Sequence, residues 1–142
     1  MTTLDRQSRP IAVTVNSFNS VSLEPPLVLF SLARSASSFE DFVAAGRFAV
    51  NVLAADQQAL SAMYARPGVS RIEMTPHRPG CLGCPLIAGA LAHLECRTLS
   101  MHDGGDHLIF IGEVQSISSR RDGAPLLYYR GRYGQVAPNP GP

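Results

Sequence analysis

The 142-residue sequence contains no lysine and no tryptophan, so that all 12 of its basic residues are arginine. The absence of lysine excludes Schiff-base catalysis and any phosphate-binding loop that depends on a lysine. The 12 basic residues nearly cancel the 11 acidic ones. Nucleic-acid-binding proteins and polybasic membrane-surface proteins normally carry a basic excess. We therefore expect no nucleic-acid partner and no membrane partner.

Long apolar runs are also missing. The longest, residues 25–30, is far shorter than the roughly 20 residues of a membrane-spanning helix. Residues 1–10 lack the apolar core of a secretory signal, so we expect none. The three cysteines are an odd number, which does not suggest a disulfide framework and is typical of reduced thiols. The sequence predicts one cytoplasmic globular domain over residues 1–142, ending in a tail at 135–142.

Short segments rich in β-branched and apolar residues predict strands, because turn residues separate them. In the segment 91–99, apolar or small residues alternate with His93, Glu95 and Arg97, which predicts a half-buried antiparallel strand. The strand candidates are 11–15, 27–32, 48–53, 91–99, 107–117 and 125–129.

Helical signals are few and local. Ser37 and Glu40 match a capping box, and Gly46 stands where a helix-ending glycine is expected. Asp56 is a candidate cap for a second helix, whose inner face would carry Leu60, Met63 and Tyr64. Residues 67–85 are rich in proline, glycine and arginine and predict a long loop. Many strands with two or three short helices indicate an antiparallel barrel or sandwich.

Two polar stretches are candidate binding segments. Residues 14–22 place hydroxyl and amide side chains directly after a strand, where they suit an anion or a polar ring system. An ordinary polar turn explains the same composition. Residues 31–38 end at the predicted start of the first helix, where free N–H groups and Arg34 suit a phosphate. A capped helix beside a solvent-exposed arginine is the alternative.

Two further stretches carry titratable groups. Residues 102–107 hold two histidines and two aspartates, but Gly104 and Gly105 favour a hairpin over a metal site. His107, which opens a strand, is a candidate hydrogen-bond donor or proton source. Cys81 and Cys84 form a lone CxxC pair that matches no standard ligand set, so we predict no metal. In residues 126–134, tyrosines alternate with arginines, which suits a flat ring or a second phosphate as well as core packing.

Taken in order, these stretches resemble the flavin reductase-like family, whose fold is an FMN-binding split β-barrel. The matching segments are TVNSFNSVSLEPPLVLFSL, ARSASSF, FAVNVL, HDGGDHLIFIGEV and PLLYYRGRYG, and they lie within residues 10–134. The resemblance implies a homodimer that binds FMN or FAD and reduces it with NADH or NADPH. The reduced flavin would then pass to a partner oxygenase. The resemblance decides neither which flavin nor which nicotinamide is used.

The resemblance also implies roles for individual residues. His107 corresponds to a histidine near the flavin and the nicotinamide, and is the catalytic candidate. Tyr129 and Arg130 belong to a C-terminal motif on the nicotinamide side of the same cleft. The implied flavin-binding residues are Pro10, Ile11, Ala12, Val13, Thr14, Asn16, Ser17, Ser31, Leu32, Ala33, Ser37 and Ser38.

The sequence departs from the family pattern at three places. Met1 to Thr3 resemble the end of the family's first barrel strand, so we expect that strand to be truncated and an upstream extension to be stabilising. Met63 stands where many relatives have a basic residue. Cys81 and Cys84 replace small or polar residues. A non-catalytic or degenerate flavin-binding split-barrel protein lacking the N-terminal strand is the alternative function, and an oxidase of another substrate is a third.

Overall fold

The computed structural model describes residues 1–136 and shows a mostly β protein, in agreement with the sequence. The strands are β1 (Thr2–Leu4), β2 (Pro10–Ala12), β3 (Asn19–Leu23), β4 (Pro26–Ala33), β5 (Arg47–Val52), β6 (His77–Pro79), β7 (Pro85–Ile87), β8 (Ala92–Gly104), β9 (His107–Ser119), β10 (Leu127–Tyr129) and β11 (Arg132–Gly134). The α-helices are α1 (Phe39–Ala45) and α2 (Gln58–Tyr64), and a 3₁₀ turn at Ala55–Gln57 precedes α2. Of the predicted tail at 135–142, residues 137–142 lie outside the described residues.

Seven strands form one antiparallel sheet in the order β2-β1-β5-β8-β9-β4-β3. The pairs β6–β7 and β10–β11 form two small separate hairpins. Strand β1 pairs with β2 from Thr2 to Leu4 and touches β5 through Thr2 and Ala49. The expectation that the first strand is truncated, and that an upstream extension would be stabilising, stays a prediction.

The core lies on one face of this sheet and is built around aromatic rings. Alternate residues of β4 are buried, and Phe30 packs against Phe48 at 4.9 Å and Phe110 at 4.8 Å between ring centroids. Phe42 of α1 contacts Phe30 edge-to-face at 5.9 Å. Such pairs add to the hydrophobic stabilisation of the buried area. The helix α1 therefore covers the sheet through a single buried phenylalanine.

The helix starts differ from the capping predictions. Helix α1 has Ser38, not Ser37, as its N-cap residue, and no side chain caps it. Gly46 ends α1 in the left-handed conformation with φ 63°, as predicted. Asp56 lies within the 3₁₀ turn, where the Gln57 side chain accepts a hydrogen bond from the Ala54 N–H at 3.0 Å.

Several short strands fall in segments that the sequence pattern assigned to loops or turns. Strands β6 and β7 lie within or next to the predicted loop 67–85, and β3 lies in the polar stretch 14–22. Each is held by pairing with a neighbour rather than by a pattern of its own. Strand β2 ends at Ala12, three residues before the predicted end at Val15. Of the predicted inner face of α2, Met63 is 39% exposed while Tyr64 is buried.

In the long hairpin β8–β9, the predicted alternation of buried and exposed residues over 91–99 is interrupted. The register shifts between Glu95 and Cys96, so these consecutive residues are both buried. The Glu95 carboxylate accepts hydrogen bonds from the N–H groups of Cys81 at 3.0 Å and Leu82 at 2.8 Å, in the turn between β6 and β7. Burial acts to raise the pKa of Glu95, but these hydrogen bonds outweigh it and hold the pKa below its usual value. Glu95 thus anchors the turn that contains the CxxC pair.

We expect Glu95 to make the protein acid-sensitive. Because its folded-state pKa is lowered, its contribution is complete above the unfolded pKa of about 4.3 and is lost as the pH falls through the folded value. Glu95→Gln should lower stability at pH 7 by about 1–3 kcal/mol, because one turn N–H loses its acceptor. Between pH 5 and pH 3, the melting temperature of the variant should also fall by less than that of the wild type.

The measurement is the melting temperature across that pH range, with Glu73→Gln as a control at an exposed carboxylate. Asp5 contributes to the acid loss in every variant, because Arg9 and Arg71 bind its carboxylate at 2.9 and 2.7 Å. Parallel curves for the wild type and Glu95→Gln would show that Glu95 does not titrate with unfolding.

Within residues 1–136, none of the helices has both the length and the apolar character that crossing a lipid bilayer requires.

Candidate functional site

Two adjoining clefts share the segment that follows β2. The first, which we call the serine cleft, has a volume of about 310 Å³. Its lining comes from three parts of the chain that the sequence singled out, together with the end of α2 and the residues after it. It is lined by residues 13–17, 31–33, 35–38, 64–67, Val69 and His107.

The second, the tyrosine cleft, measures about 560 Å³. It is also lined by residues 13–16, and further by Phe18, Tyr64, Tyr128 and Tyr133 together with apolar residues of β5. The Tyr133 hydroxyl donates a hydrogen bond to Ser61 Oγ at 3.1 Å, which ties β11 to α2. The two clefts thus have residues 13–16 as a common wall.

Hydrogen bonds fix this wall in place. The Thr14 hydroxyl donates to the Ser61 carbonyl at 2.8 Å, and the Thr14 N–H donates to the Tyr64 carbonyl at 3.1 Å. The Ser17 hydroxyl donates to the Ser31 carbonyl at 3.0 Å and accepts from the Ser31 N–H at 2.9 Å. The wall is therefore bound to α2 on one side and to β4 on the other.

Most of the predicted flavin-binding residues meet in the serine cleft. Those that line it are Val13, Thr14, Asn16, Ser17, Ser31, Leu32, Ala33, Ser37 and Ser38. Pro10 and Ile11 line neither cleft; Ile11 is 1% exposed and belongs to the core. Ala12 lines the tyrosine cleft.

His107 is the first residue of β9, directly after the turn of the β8–β9 hairpin, and it lines the serine cleft. It pairs with Ala33 across β4 and β9, which brings it next to the serine-containing segment. Its Nδ1 lies 2.7 Å from Asp106 Oδ1. That hydrogen bond, together with the charge of His107, lowers the pKa of Asp106. When Nδ1 carries the proton that Asp106 accepts, Nε2 is the nitrogen left for a ligand.

Tyr129 and Arg130 lie apart from both clefts. Tyr129 is 71% exposed, and the Arg130 guanidinium lies 5.4 Å from the centroid of the Tyr129 ring. Arg130 has φ 51° at the turn between β10 and β11. The tyrosines of the same motif that do reach a cleft are Tyr128 and Tyr133.

The arginine that lines the serine cleft is not the one that the sequence singled out. The Arg34 guanidinium points to the β8–β9 hairpin, and Arg34 does not line the serine cleft. Arg66, at the end of α2, lines it together with Ser35, Ser37 and Ser38. Arg66 is the only arginine in that lining. Sequence reasoning missed it, because Arg66 lies 28 positions from the serine segment and directly precedes the predicted loop 67–85. The fold alone brings it to the cleft.

The CxxC pair has a structural place. Gly80 to Cys84 form the turn of the β6–β7 hairpin, with the Gly80 N–H donating to the Cys84 carbonyl at 2.9 Å. Cys84 is buried, and burial raises the pKa of its thiol to about 11. Across residues 1–136, no three His, Cys, Asp or Glu side chains come together as metal ligands would.

The chain matches the family model described as "Flavin reductase like domain" over residues 1–137. It is 47% identical over 128 residues to the FMN reductase (NADH) SmoA of Agrobacterium fabrum, covering 90% of this chain and 72% of that protein. It is 39% identical over 139 residues to the reductase subunit HsaB of a flavin-dependent monooxygenase of Rhodococcus jostii, covering 98% and 71%.

A solved structure is similar over nearly the whole chain. The NADH:FAD oxidoreductase SgcE6 of Streptomyces globisporus, in complex with NAD and FAD fragments, superposes with a TM-score of 0.91 and is 38% identical. The match covers 99% of this chain and 85% of that one.

Proposed function

The chain belongs to the flavin reductase-like family, and from this premise we propose that it is an NAD(P)H-dependent flavin reductase. It transfers a hydride from NADH or NADPH to FMN or FAD, and the reduced flavin passes to a partner monooxygenase. Relatives named as NADH-dependent flavin reductases and as reductase subunits of monooxygenases support this activity. The reaction consumes one proton with each hydride, because the reduced flavin carries both.

The observation that carries the proposal is the composition of the serine cleft. Its walls include the apolar side chains of Val13, Val15 and Leu32, which suit the face of a flavin ring. Its polar groups include serine hydroxyls and the Arg66 guanidinium, which are the donors that a phosphate accepts from. The donor set therefore fits a flavin nucleotide.

We assign roles from this placement. Ser35, Ser37, Ser38 and Arg66 hold the flavin phosphate, and residues 13–17 with Ser31 to Ala33 hold the ring. A flavin bound in this way is the hydride acceptor for the nicotinamide. His107 either orients the nicotinamide amide or supplies the proton to the reduced flavin.

We expect His107→Ala to impair NADH oxidation about 10²-fold or more while changing the flavin Kd less than threefold, because general acid–base groups contribute about 10²–10⁴-fold. The measurements are flavin titration by fluorescence and steady-state NADH oxidation with free FMN or FAD. His102→Ala, on the neighbouring strand and also exposed, is the matched control. Equal losses in the two assays would indicate a structural role for His107.

The activity itself is tested with the wild-type protein. Spectra with added FMN and FAD report binding, and NADH or NADPH oxidation in the presence of free flavin reports turnover. Flavin binding without turnover would support the non-catalytic flavin-binding alternative. Absence of both would contradict the proposed function.

We further propose a split-barrel closure, a homodimer and a cytoplasmic location. Strand β3 is one end of the seven-stranded sheet, and its side chains Val21 and Leu23 are 48% and 94% exposed. Exposed apolar side chains on an edge strand are normally covered in solution, which supports a second copy as the partner of β3. Free cysteines at positions 81, 84 and 96 agree with a reducing compartment. Sedimentation velocity tests the dimer, with Leu23→Ser expected to weaken it.

A further inference from the structure

Arg34 interrupts the cleft-lining segment and turns away from it. Ala33 and Ser35 line the serine cleft, whereas Arg34 Nη2 donates to Asp103 Oδ1 at 2.6 Å and Nε donates to the Gly105 carbonyl at 3.0 Å. The Arg34 backbone N–H donates to the Asp106 carbonyl at 2.9 Å. Three hydrogen bonds from one residue thus bind the tip of the β8–β9 hairpin.

We propose that Arg34 is a positioning residue that fixes this tip, and with it the Asp106–His107 pair, against the serine cleft. This positioning role rests on the proposed function, because its effect on NADH oxidation is expected to act through His107. Arg34 acts indirectly in this role. Its contacts to Asp103 and Gly105 fix the tip, and the position of the tip fixes that of His107.

The β8–β9 ladder pairs Met101–Gly104 with His107–Phe110, and the tip has few contacts besides this pairing. Residues 101 to 106 are all exposed, so no core packing fixes them. The turn has two residues, Gly105 and Asp106, and Gly105 adopts φ 77°. Two consecutive glycines, Gly104 and Gly105, give the unpaired chain high conformational freedom. The ladder between β4 and β9 ends at the pair Ala33–His107. Past this pair, the hydrogen bonds of Arg34 are what links the tip to the end of β4.

The electrostatics agree with a persistent ion pair. The hydrogen bond and the charge of Arg34 lower the pKa of Asp103. The Arg34 guanidinium also lies 5.8 Å from the centroid of the Phe39 ring of α1. Arg34 and Asp103 are 44% and 78% exposed, and exposed ion pairs contribute little to global stability. Removing the pair should therefore leave the fold intact and act locally.

A direct role in phosphate binding is the competing explanation, since Arg34 adjoins Ser35. The two explanations differ in what Asp103 does. If Arg34 positions the tip, Arg34→Gln and Asp103→Asn both lower kcat/KM for NADH and leave flavin binding unchanged. If Arg34 binds phosphate, Arg34→Gln weakens flavin binding and Asp103→Asn leaves it unchanged or stronger, because the freed guanidinium becomes available.

The experiment compares Arg34→Gln, Asp103→Asn, the double variant and Arg34→Lys, with Arg121→Gln as a control at an exposed arginine. We expect each of the first two to lower kcat/KM for NADH about 10-fold, with flavin Kd within twofold of wild type. The double variant should be no worse than Arg34→Gln, because that substitution already removes the guanidinium contacts to Asp103 and Gly105. Arg34→Lys should recover only part of the loss, since lysine cannot reproduce the two-acceptor geometry of the guanidinium. Melting temperatures should stay within about 3 °C.

Amide hydrogen exchange at residues 104–107 gives a readout that does not depend on activity. It should accelerate about 10-fold in Arg34→Gln and in Asp103→Asn but not in Arg121→Gln. Unchanged exchange, or a flavin Kd that rises only in Arg34→Gln, would overturn the positioning role. Absence of NADH oxidation in the wild type would instead contradict the proposed function, while the exchange result would still decide the structural part.

Discussion

Gly112→Ala is expected to destabilise the protein by about 3 kcal/mol, near the upper end for overpacking of a core. Gly112 lies in the middle of β9, opposite Val28 of β4 and Thr98 of β8. A Cβ atom at this position would overlap the Phe48 ring and lie 2.9 Å from Cys96 Cβ. Phe48 is 1% exposed and packs on Phe30, so its ring has no space to move into. The melting temperature should fall by about 10 °C.

Calorimetry of Gly112→Ala and of Gly134→Ala tests this expectation. Gly134 is the matched control, because a Cβ there meets nothing within 4 Å. The double variant Gly112→Ala with Phe48→Leu should recover part of the loss, since the smaller side chain vacates the overlapping volume. A melting temperature within about 2 °C of wild type for Gly112→Ala would show that the Phe48 ring can move aside and make room for the added methyl group.

Replacing Ser37 and Ser38 together by alanine is expected to weaken flavin binding by about 10²–10⁴-fold. Both side chains line the serine cleft, and each is proposed to donate a hydrogen bond to the flavin phosphate. A hydrogen bond to a charged group contributes about 1.5–3 kcal/mol, and every 1.4 kcal/mol is about a factor of ten in Kd. The loss should appear in Kd for both FMN and FAD, measured by fluorescence titration.

Two controls separate binding from folding. Ser20→Ala changes an exposed serine of β3 that lines neither cleft. Ser38 is 2% exposed, so the melting temperature of the double variant is measured as well. Unchanged flavin affinity in a folded double variant would show that these two serines do not bind the phosphate, and would leave Ser35 and Arg66 as its proposed contacts.

The sequence predicted those elements whose own hydrophobic pattern is long enough to identify them without their neighbours. Strands β4, β8 and β9 have apolar residues at regular spacing, and the Asp103–His107 hairpin is marked by its two glycines. The wall 13–17 and the segment 31–38 were identified from hydroxyl-rich composition next to these strands, and they do meet in one cleft.

Other features depend on contacts that no local pattern contains. The three-residue strands β1, β6 and β7 exist only because a partner supplies their hydrogen bonds. Glu95 is buried because a register shift turns it inward, toward N–H groups of a turn 13 and 14 residues earlier. The choice between Arg34 and Arg66 was equally hidden, since chain proximity favoured Arg34 and the fold brought Arg66 to the cleft.

The pairing of β4 with β9 also sets the order in which the protein can mature during translation. Residues 27 to 33 find their partners at 107 to 113, roughly 75–85 positions later in the chain. At about 5–20 residues per second, a ribosome needs roughly 4–17 s to synthesise that interval. During this time one edge of β4 has no native partner, and His107 does not yet exist. The emerging β4 edge is therefore the segment that a chaperone would be expected to protect.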